Sequence, residues 1–162
     1  MKFTSVISRS LFSLAALAAL SCASAQAAEK AHIQPLDKAI QARYDAITKM
    51  LESGTPSADI GRALYWPDVI VTGQGAEKVY RGLDALQPTL AAVLKDLGPH
   101  CKFSVRDPAA QSGSVAAVYS QLGCKSATAG QPDINLRLLY VWEKRGNEWK
   151  VVREMYSEGT IN

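Results

Sequence analysis

Histidine, cysteine and long apolar runs are all scarce in this chain of 162 residues. The two histidines, His32 and His100, stand far apart and outside any zinc-binding pattern, so we expect no metal site. Phosphate-binding glycine loops and the nucleophile elbow of hydrolases are also missing, so no cofactor is predicted. No stretch of 18 apolar residues occurs after the N-terminal region, which argues against a membrane span.

The chain also lacks a strong excess of one charge. It has 18 basic and 15 acidic residues, a net charge of +3, and without its first 27 residues the balance is 16 to 15. Nucleic-acid-binding domains usually show a clear basic excess, so we expect no nucleic-acid partner. With 48% apolar and 20% charged residues, the composition is that of one globular domain.

The first 27 residues have the pattern of a secretory signal peptide. Lys2 and Arg9 supply positive charge, and an apolar run of ten residues follows from Leu11 to Leu20. Small residues then allow cleavage after Ala25 or after Ala27. We therefore predict a periplasmic or secreted protein.

If the protein is exported, its three cysteines have different expected fates. Cys22 lies in the signal segment, where lipidation is the alternative to removal. Cys101 and Cys124 remain in the domain 28–162, where an even count predicts a disulfide, with two buried free thiols as the alternative. A two-residue turn at Ser112-Gly113 independently places these two cysteines opposite each other on paired strands.

Helical periodicity comes early in the chain and strand periodicity late. Helices are predicted over residues 35–53, 56–64 and 86–97, the third with Pro88 in its first turn. Strands are predicted over residues 68–72, 78–81, 100–107, 114–126, 134–144 and 148–157. This order indicates an α+β fold with a mostly antiparallel sheet.

The last two strands form a hairpin that predicts an arginine on an apolar face. A turn at Gly146-Asn147 places Tyr140 opposite Arg153. The other pairs on this face are Trp142–Val151 and Leu138–Met155. A guanidinium group in such surroundings needs an anion or water.

Three motifs resemble the nuclear transport factor 2-like superfamily, in its SnoaL-like and ketosteroid-isomerase-like branch. They are Ala63–Val69 (ALYWPDV), Tyr80–Leu86 (YRGLDAL) and Val141–Val152 (VWEKRGNEWKVV), and they occur in the family's order. The resemblance covers about residues 34–158. It implies a strongly curved sheet wrapped by three helices, forming a cone with a pocket in its mouth. Members of the family are isomerases, dehydratases, cyclases, binding proteins and oligomerisation modules, so the fold leaves function open.

Ketosteroid-isomerase residues can be transferred to this chain at one position only. Tyr44, in the first helix, matches the tyrosine that polarises the substrate carbonyl in that enzyme. The catalytic base would fall at about Gly73 and the second acid at about Leu139, and neither residue can do this chemistry. Tyr44 is therefore the one catalytic candidate that the resemblance provides.

The candidate pocket residues combine two arginines with aromatic side chains. Arg43 lies within the apolar stripe of the first helix, where it either faces a ligand or packs its stem and extends its head to the rim. Arg43 and Arg153, with Tyr44 and Tyr140, would together hold a carboxylate or enolate-like oxygen; internal ion pairs are the alternative. The full candidate set is Arg43, Tyr44, Trp66, Tyr140, Trp142, Arg153 and Met155.

These observations predict an exported domain that binds a small organic molecule, an anionic one if both arginines face it. One alternative is an isomerase, dehydratase or cyclase that uses Tyr44 and an arginine without a metal. The other alternative is a homodimeric protein-interaction module whose pocket is vestigial.

Overall fold

The computed structural model describes residues 36–107, 110–126 and 128–161. The predicted signal segment with Cys22, and also His32, lie outside the described residues. The helices are α1 (residues 36–52), α2 (Ser57–Leu64) and α3 (Leu83–Asp96). The strands are β1 (Tyr65–Gly73), β2 (Tyr80–Arg81), β3 (Leu97–Val105), β4 (Ala110–Ser112), β5 (Val115–Ser126), β6 (Ile134–Arg145) and β7 (Glu148–Glu158).

One curved, open sheet runs through the fold and confirms the predicted α+β architecture. Its strand order is β2-β1-β7-β6-β5-β3, and β4 pairs with β5 beside this path. The strand pairs are antiparallel except for β1 and β7, which run parallel. Within the described residues, no helix is long and apolar enough to cross a membrane.

Helix α1 packs against the concave face of the sheet because its apolar residues recur at helical spacing. Ile40 and Tyr44 are fully buried on this stripe. The ring of Tyr44 stacks on Phe103 of β3, with 5.1 Å between ring centroids, and contacts Trp142 of β6 edge-on at 5.6 Å. This aromatic cluster fills the centre of the fold.

Two helix starts differ from their predicted positions. Helix α3 begins at Leu83, directly after Gly82, whose φ of +88° is one that glycine tolerates best. Pro88 therefore lies in the second turn of α3 rather than in the first, and its ring removes one helical hydrogen bond. Helix α2 begins at Ser57, with Pro56 as its N-cap.

The predicted disulfide is confirmed. Cys101 and Cys124 are bonded, with their Cα atoms 4.0 Å apart, and they pair directly across β3 and β5. The predicted turn at Ser112-Gly113 is wrong by one residue, because Ser112 pairs with Val115 across a turn at Gly113-Ser114. The resulting two-residue difference in register is absorbed between β3 and β4, so the cysteines still meet.

Strands β6 and β7 follow the predicted register only near their turn. Trp142 pairs with Val151 as predicted, but Val141 pairs with Arg153. Val152 is therefore an extra residue on β7, the signature of a β-bulge.

The bulge reverses which side chains of β7 face the core. Tyr140 pairs with Glu154, so the predicted pairs Tyr140–Arg153 and Leu138–Met155 are wrong. Because side chains alternate along a strand, a shift of one residue moves an arginine outward and a glutamate inward. Arg153 is exposed on the outer face of the sheet, and Met155 is 56% exposed there.

Candidate functional site

A cavity of about 350 Å³ lies between α3 and the inner face of the sheet. This volume suits a small organic molecule. The apolar part of its wall includes Val71, Leu86, Leu90, Val93, Leu97 and Leu136. Its polar groups include Tyr65, Tyr80, Tyr156, Asp96, Glu154 and Glu158.

The carboxyl group of Glu154 is the most unusual group in this wall. The bulge in β7 turns it inward, and it accepts a hydrogen bond of 2.5 Å from the hydroxyl of Tyr65. Burial raises the pKa of Glu154 to about 7, although the hydrogen bond from Tyr65 acts in the opposite direction. The cavity therefore contains a carboxyl group that can gain or lose a proton near neutral pH.

Two buried tyrosine hydroxyls extend the hydrogen bonding behind Glu154. The hydroxyl of Tyr65 donates to Glu154, and Tyr140 interacts with both of these residues. Burial, followed by the charge of Glu154, raises the pKa of both tyrosines well above its usual value. Both hydroxyls therefore keep their protons at neutral pH and act as donors.

Tyr44 lies behind this group, in the core rather than in the cavity wall. Its hydroxyl is 2.6 Å from the hydroxyl oxygen of Ser120, which is also fully buried. Burial raises the pKa of Tyr44. Its ring packs against those of Tyr140 and Trp142. As the structure stands, Tyr44 supports the fold and does not touch a molecule placed in the cavity.

Comparison with known proteins identifies the fold. No family model matches the sequence, and no curated protein sequence matches it. A nuclear transport factor 2-like superfamily protein from Salmonella enterica is 17% identical with a TM-score of 0.56, covering 79% of this chain and 94% of its own. A ketosteroid isomerase-like protein from Erwinia carotovora atroseptica is 19% identical with a TM-score of 0.54, covering 75% and 97%. A nuclear transport factor 2-like protein of unknown function from Pseudomonas putida is 13% identical with a TM-score of 0.60, covering 76% of this chain and 87% of its own.

The chain has the nuclear transport factor 2-like fold. The family resemblance seen in the sequence is thus confirmed at the level of the fold. At these identities the likeness carries no activity or substrate over to this chain.

Within this nuclear transport factor 2-like fold, the two candidate arginines bind to different parts of the backbone, and neither lines the inner cavity. The Arg43 guanidinium donates a hydrogen bond of 2.9 Å to the carbonyl oxygen of Ala63, in the last turn of α2. At this position the positive charge of Arg43 interacts favourably with the negative, C-terminal end of the α2 dipole. Arg153 is exposed on the outer face and donates to the carbonyl oxygen of Val152. The predicted anion-binding group of two arginines and two tyrosines is therefore not assembled.

Trp66 also lies outside the cavity. Its indole nitrogen donates a hydrogen bond of 2.9 Å to the carbonyl oxygen of Glu143. Two cations lie over its ring, Arg145 at 5.0 Å and Lys150 at 4.8 Å from the centroid. This arrangement joins β1 to the β6–β7 hairpin.

Met155 lines a second groove, of about 580 Å³, on the outer face of the sheet. Tyr119 and Arg137 also line it, and Tyr119 is 51% exposed. The Arg137 guanidinium already donates a hydrogen bond of 2.7 Å to the carbonyl oxygen of Glu158. We therefore place the candidate site in the inner cavity, where the partly buried carboxyl group of Glu154 faces the open space.

Tyr140, a predicted site residue, pairs with Glu154 but does not line the cavity, and two polar residues that do line it, Tyr65 and Glu154, were not predicted. Tyr65 lies within the ALYWPDV motif, and nothing in that motif marks this tyrosine as a site residue. The one signal for Glu154 is the doublet Val151-Val152, because two consecutive buried residues break the alternation of a strand.

Proposed function

We propose that this chain binds a small, largely apolar organic molecule in the cavity beneath α3, with Glu154 as its polar anchor. The proposal is carried by the position of the Glu154 carboxyl group, which lies in the wall of a 350 Å³ cavity and is bonded to Tyr65. Both candidate arginines lie elsewhere, so the proposal does not keep the expected preference for anions.

The pKa of Glu154 supports a functional role for this carboxyl group. Burying an ionisable group without an opposite charge destabilises the folded state. Groups with such perturbed pKa values, placed in a cleft, occur preferentially at functional sites. A glutamine or leucine here would build the same wall without this penalty.

Ligand binding can be tested with two tryptophan variants and a neutral probe, 2-phenylethanol. Val93 lines the cavity and is 42% exposed, so Val93→Trp fills the cavity with little disturbance of the core. Met155→Trp is the matched control on the outer face. We expect calorimetric binding of the probe to be lost in Val93→Trp and kept in Met155→Trp. Equal binding by both variants contradicts the proposed site.

Isomerase-type proton transfer is a second candidate, favoured by the same carboxyl group. As a carboxylate, Glu154 can accept a proton from the carbon beside a ketone carbonyl and return it to the substrate. Its pKa of about 7 suits this role at neutral pH. We expect deuterium exchange into a ketone such as cyclohexanone to disappear in Glu154→Gln and to persist in Tyr44→Phe.

We also infer that the protein is exported. The disulfide supports this inference, since such bonds persist in oxidising compartments. Fractionation of expressing cells and the intact mass of the mature chain test it, with cleavage expected after Ala25 or Ala27. A full-length chain in the cytoplasm contradicts export, and a lipid adduct at Cys22 would identify a lipoprotein.

A further inference from the structure

We propose that the ligand of this cavity is an organic cation, a protonated amine on an apolar body, with Glu154 as its counter-ion. This inference rests on the proposed function, because it names the chemical class of the molecule that the same cavity binds.

The charged groups of the cavity wall all have one sign. Glu154 lies on the inner wall, Asp96 at the end of α3, and Glu158 at the end of β7. Among the described residues that line the cavity, none is lysine, arginine or histidine. A ligand anion would be repelled by this wall, whereas a cation would be attracted over the whole path into the cavity.

Aromatic rings add a second attraction for a cation. Tyr65, Tyr80 and Tyr156 all line the cavity. The ring of Tyr80 already has the ammonium group of Lys78 at 5.6 Å from its centroid, so its surroundings are compatible with a positive charge. Cations bind to the faces of aromatic rings more strongly where water is excluded.

Nearby cationic side chains do not already neutralise Glu154. Arg153, its neighbour in sequence, is turned to the outer face by the bulge. Lys78 beside Tyr80, Arg81 on β2 and Lys95 on α3 are exposed and are not part of the cavity wall. The hydroxyl of Tyr65 is an uncharged donor, so its hydrogen bond does not neutralise an ionised Glu154. The negative charge is left for a ligand to balance.

Proton exchange distinguishes a cationic ligand from a neutral one. Four tyrosines surround Glu154, namely Tyr65 on β1, Tyr140 on β6, Tyr44 on α1 and Tyr156 on β7, and burial raises the pKa of each. The other titratable groups of the cavity wall are Asp96 on α3, Tyr80 on β2 and Glu158 on β7. With a pKa of about 7, Glu154 can exchange a proton when a ligand binds at neutral pH. A bound ammonium group stabilises the carboxylate form of Glu154, so Glu154 releases a proton on binding. A neutral ligand excludes water from the carboxylate, so Glu154 takes up a proton.

Three probes with nearly the same apolar body test the inference: phenethylamine, 2-phenylethanol and phenylacetate. Their binding is measured by isothermal titration calorimetry at pH 7, in two buffers with different heats of ionisation. We expect phenethylamine to bind at least about tenfold more tightly than 2-phenylethanol, with phenylacetate weakest, since a charged hydrogen bond contributes more than a neutral one. The buffer dependence should show proton release with the amine.

Variants complete the test. Glu154→Gln should reduce the affinity for phenethylamine to that for 2-phenylethanol, while Glu52→Gln, at the exposed end of α1, should change neither. If wild type binds the alcohol as tightly as the amine, or takes up protons with the amine, the cation inference is overturned and cavity binding stands. If neither probe binds, or Val93→Trp binds them as wild type does, the proposed function falls as well.

Discussion

At the scale of single residues, the ionisation of Glu154 weakens the fold near neutral pH. Its pKa rises from 4.5 to about 7 on folding, so the folded state holds this proton more tightly than the unfolded chain. The stabilisation is complete below about pH 4.5 and is lost as the pH rises through 7, by up to about 3 kcal/mol. We expect Glu154→Gln to be more stable than wild type at pH 8, measured by urea unfolding. Identical pH profiles for Glu154→Gln and wild type would show that this carboxyl group titrates normally.

The hydroxyl of Tyr65 sets how far the pKa of Glu154 is raised. Its hydrogen bond stabilises the carboxylate and lowers that pKa, so Tyr65→Phe should raise it further above 7. NMR titration of the Glu154 carboxyl carbon measures this directly. Tyr44→Phe is the control, because its hydroxyl bonds to Ser120 and not to Glu154. A lower pKa in Tyr65→Phe would contradict the assigned hydrogen bond.

A variant at Arg43 can show whether this residue has a structural role or a ligand-binding role. Arg43→Met keeps the apolar stem but removes the hydrogen bond to the carbonyl of Ala63, so the free energy of unfolding should fall by about 1–2 kcal/mol. Binding of phenethylamine and of phenylacetate should stay unchanged. A selective loss of phenylacetate binding would restore the anion pocket that the sequence predicted.

At the scale of elements, close contact between β1 and β7 shapes the cavity. Gly73 lies beside Tyr156, and a Cβ atom at Gly73 would come within 2.5 Å of the tyrosine ring. Gly73→Ala should therefore displace Tyr156 from the cavity wall, lower the free energy of unfolding by about 1–3 kcal/mol and weaken ligand binding. In Gly123→Ala the nearest atom is a flexible side-chain oxygen of Asn135 at 3.3 Å, so we expect a smaller effect in denaturation curves. Similar losses in both variants would contradict this packing argument.

The order of the elements was predictable because helical and strand periodicities differ, and because turn residues separate the segments. The interior of β7 was not. A turn fixes the register only up to the first bulge, and here the bulge follows after four pairs. The sequence therefore predicted Arg153 on the apolar face, while the fold places Glu154 there. The site was missed because one extra residue reverses every side chain beyond it.

At the scale of the whole molecule, side chains fill the space between α1 and the sheet, whereas the space between α3 and the sheet contains the cavity. Tyr44, Phe103, Tyr140 and Trp142 occupy the centre, so a ligand cannot reach Tyr44 without repacking the core. In the proposed site, ligand specificity would therefore rest on the cavity wall, with the aromatic cluster as its support.

The disulfide holds the strands β3 and β5 of this molecule together. It joins residues 23 apart in sequence, and closing such a loop stabilises the folded state by about 3 kcal/mol in the chain-entropy model. We expect reduction, or the double variant Cys101→Ala/Cys124→Ala, to lower the free energy of unfolding by that order in urea. Binding of phenethylamine should persist below the unfolding transition, because neither cysteine lines the cavity. An unchanged unfolding midpoint after complete reduction would show that the bond contributes nothing, whereas loss of binding without unfolding would tie this bond to the shape of the cavity.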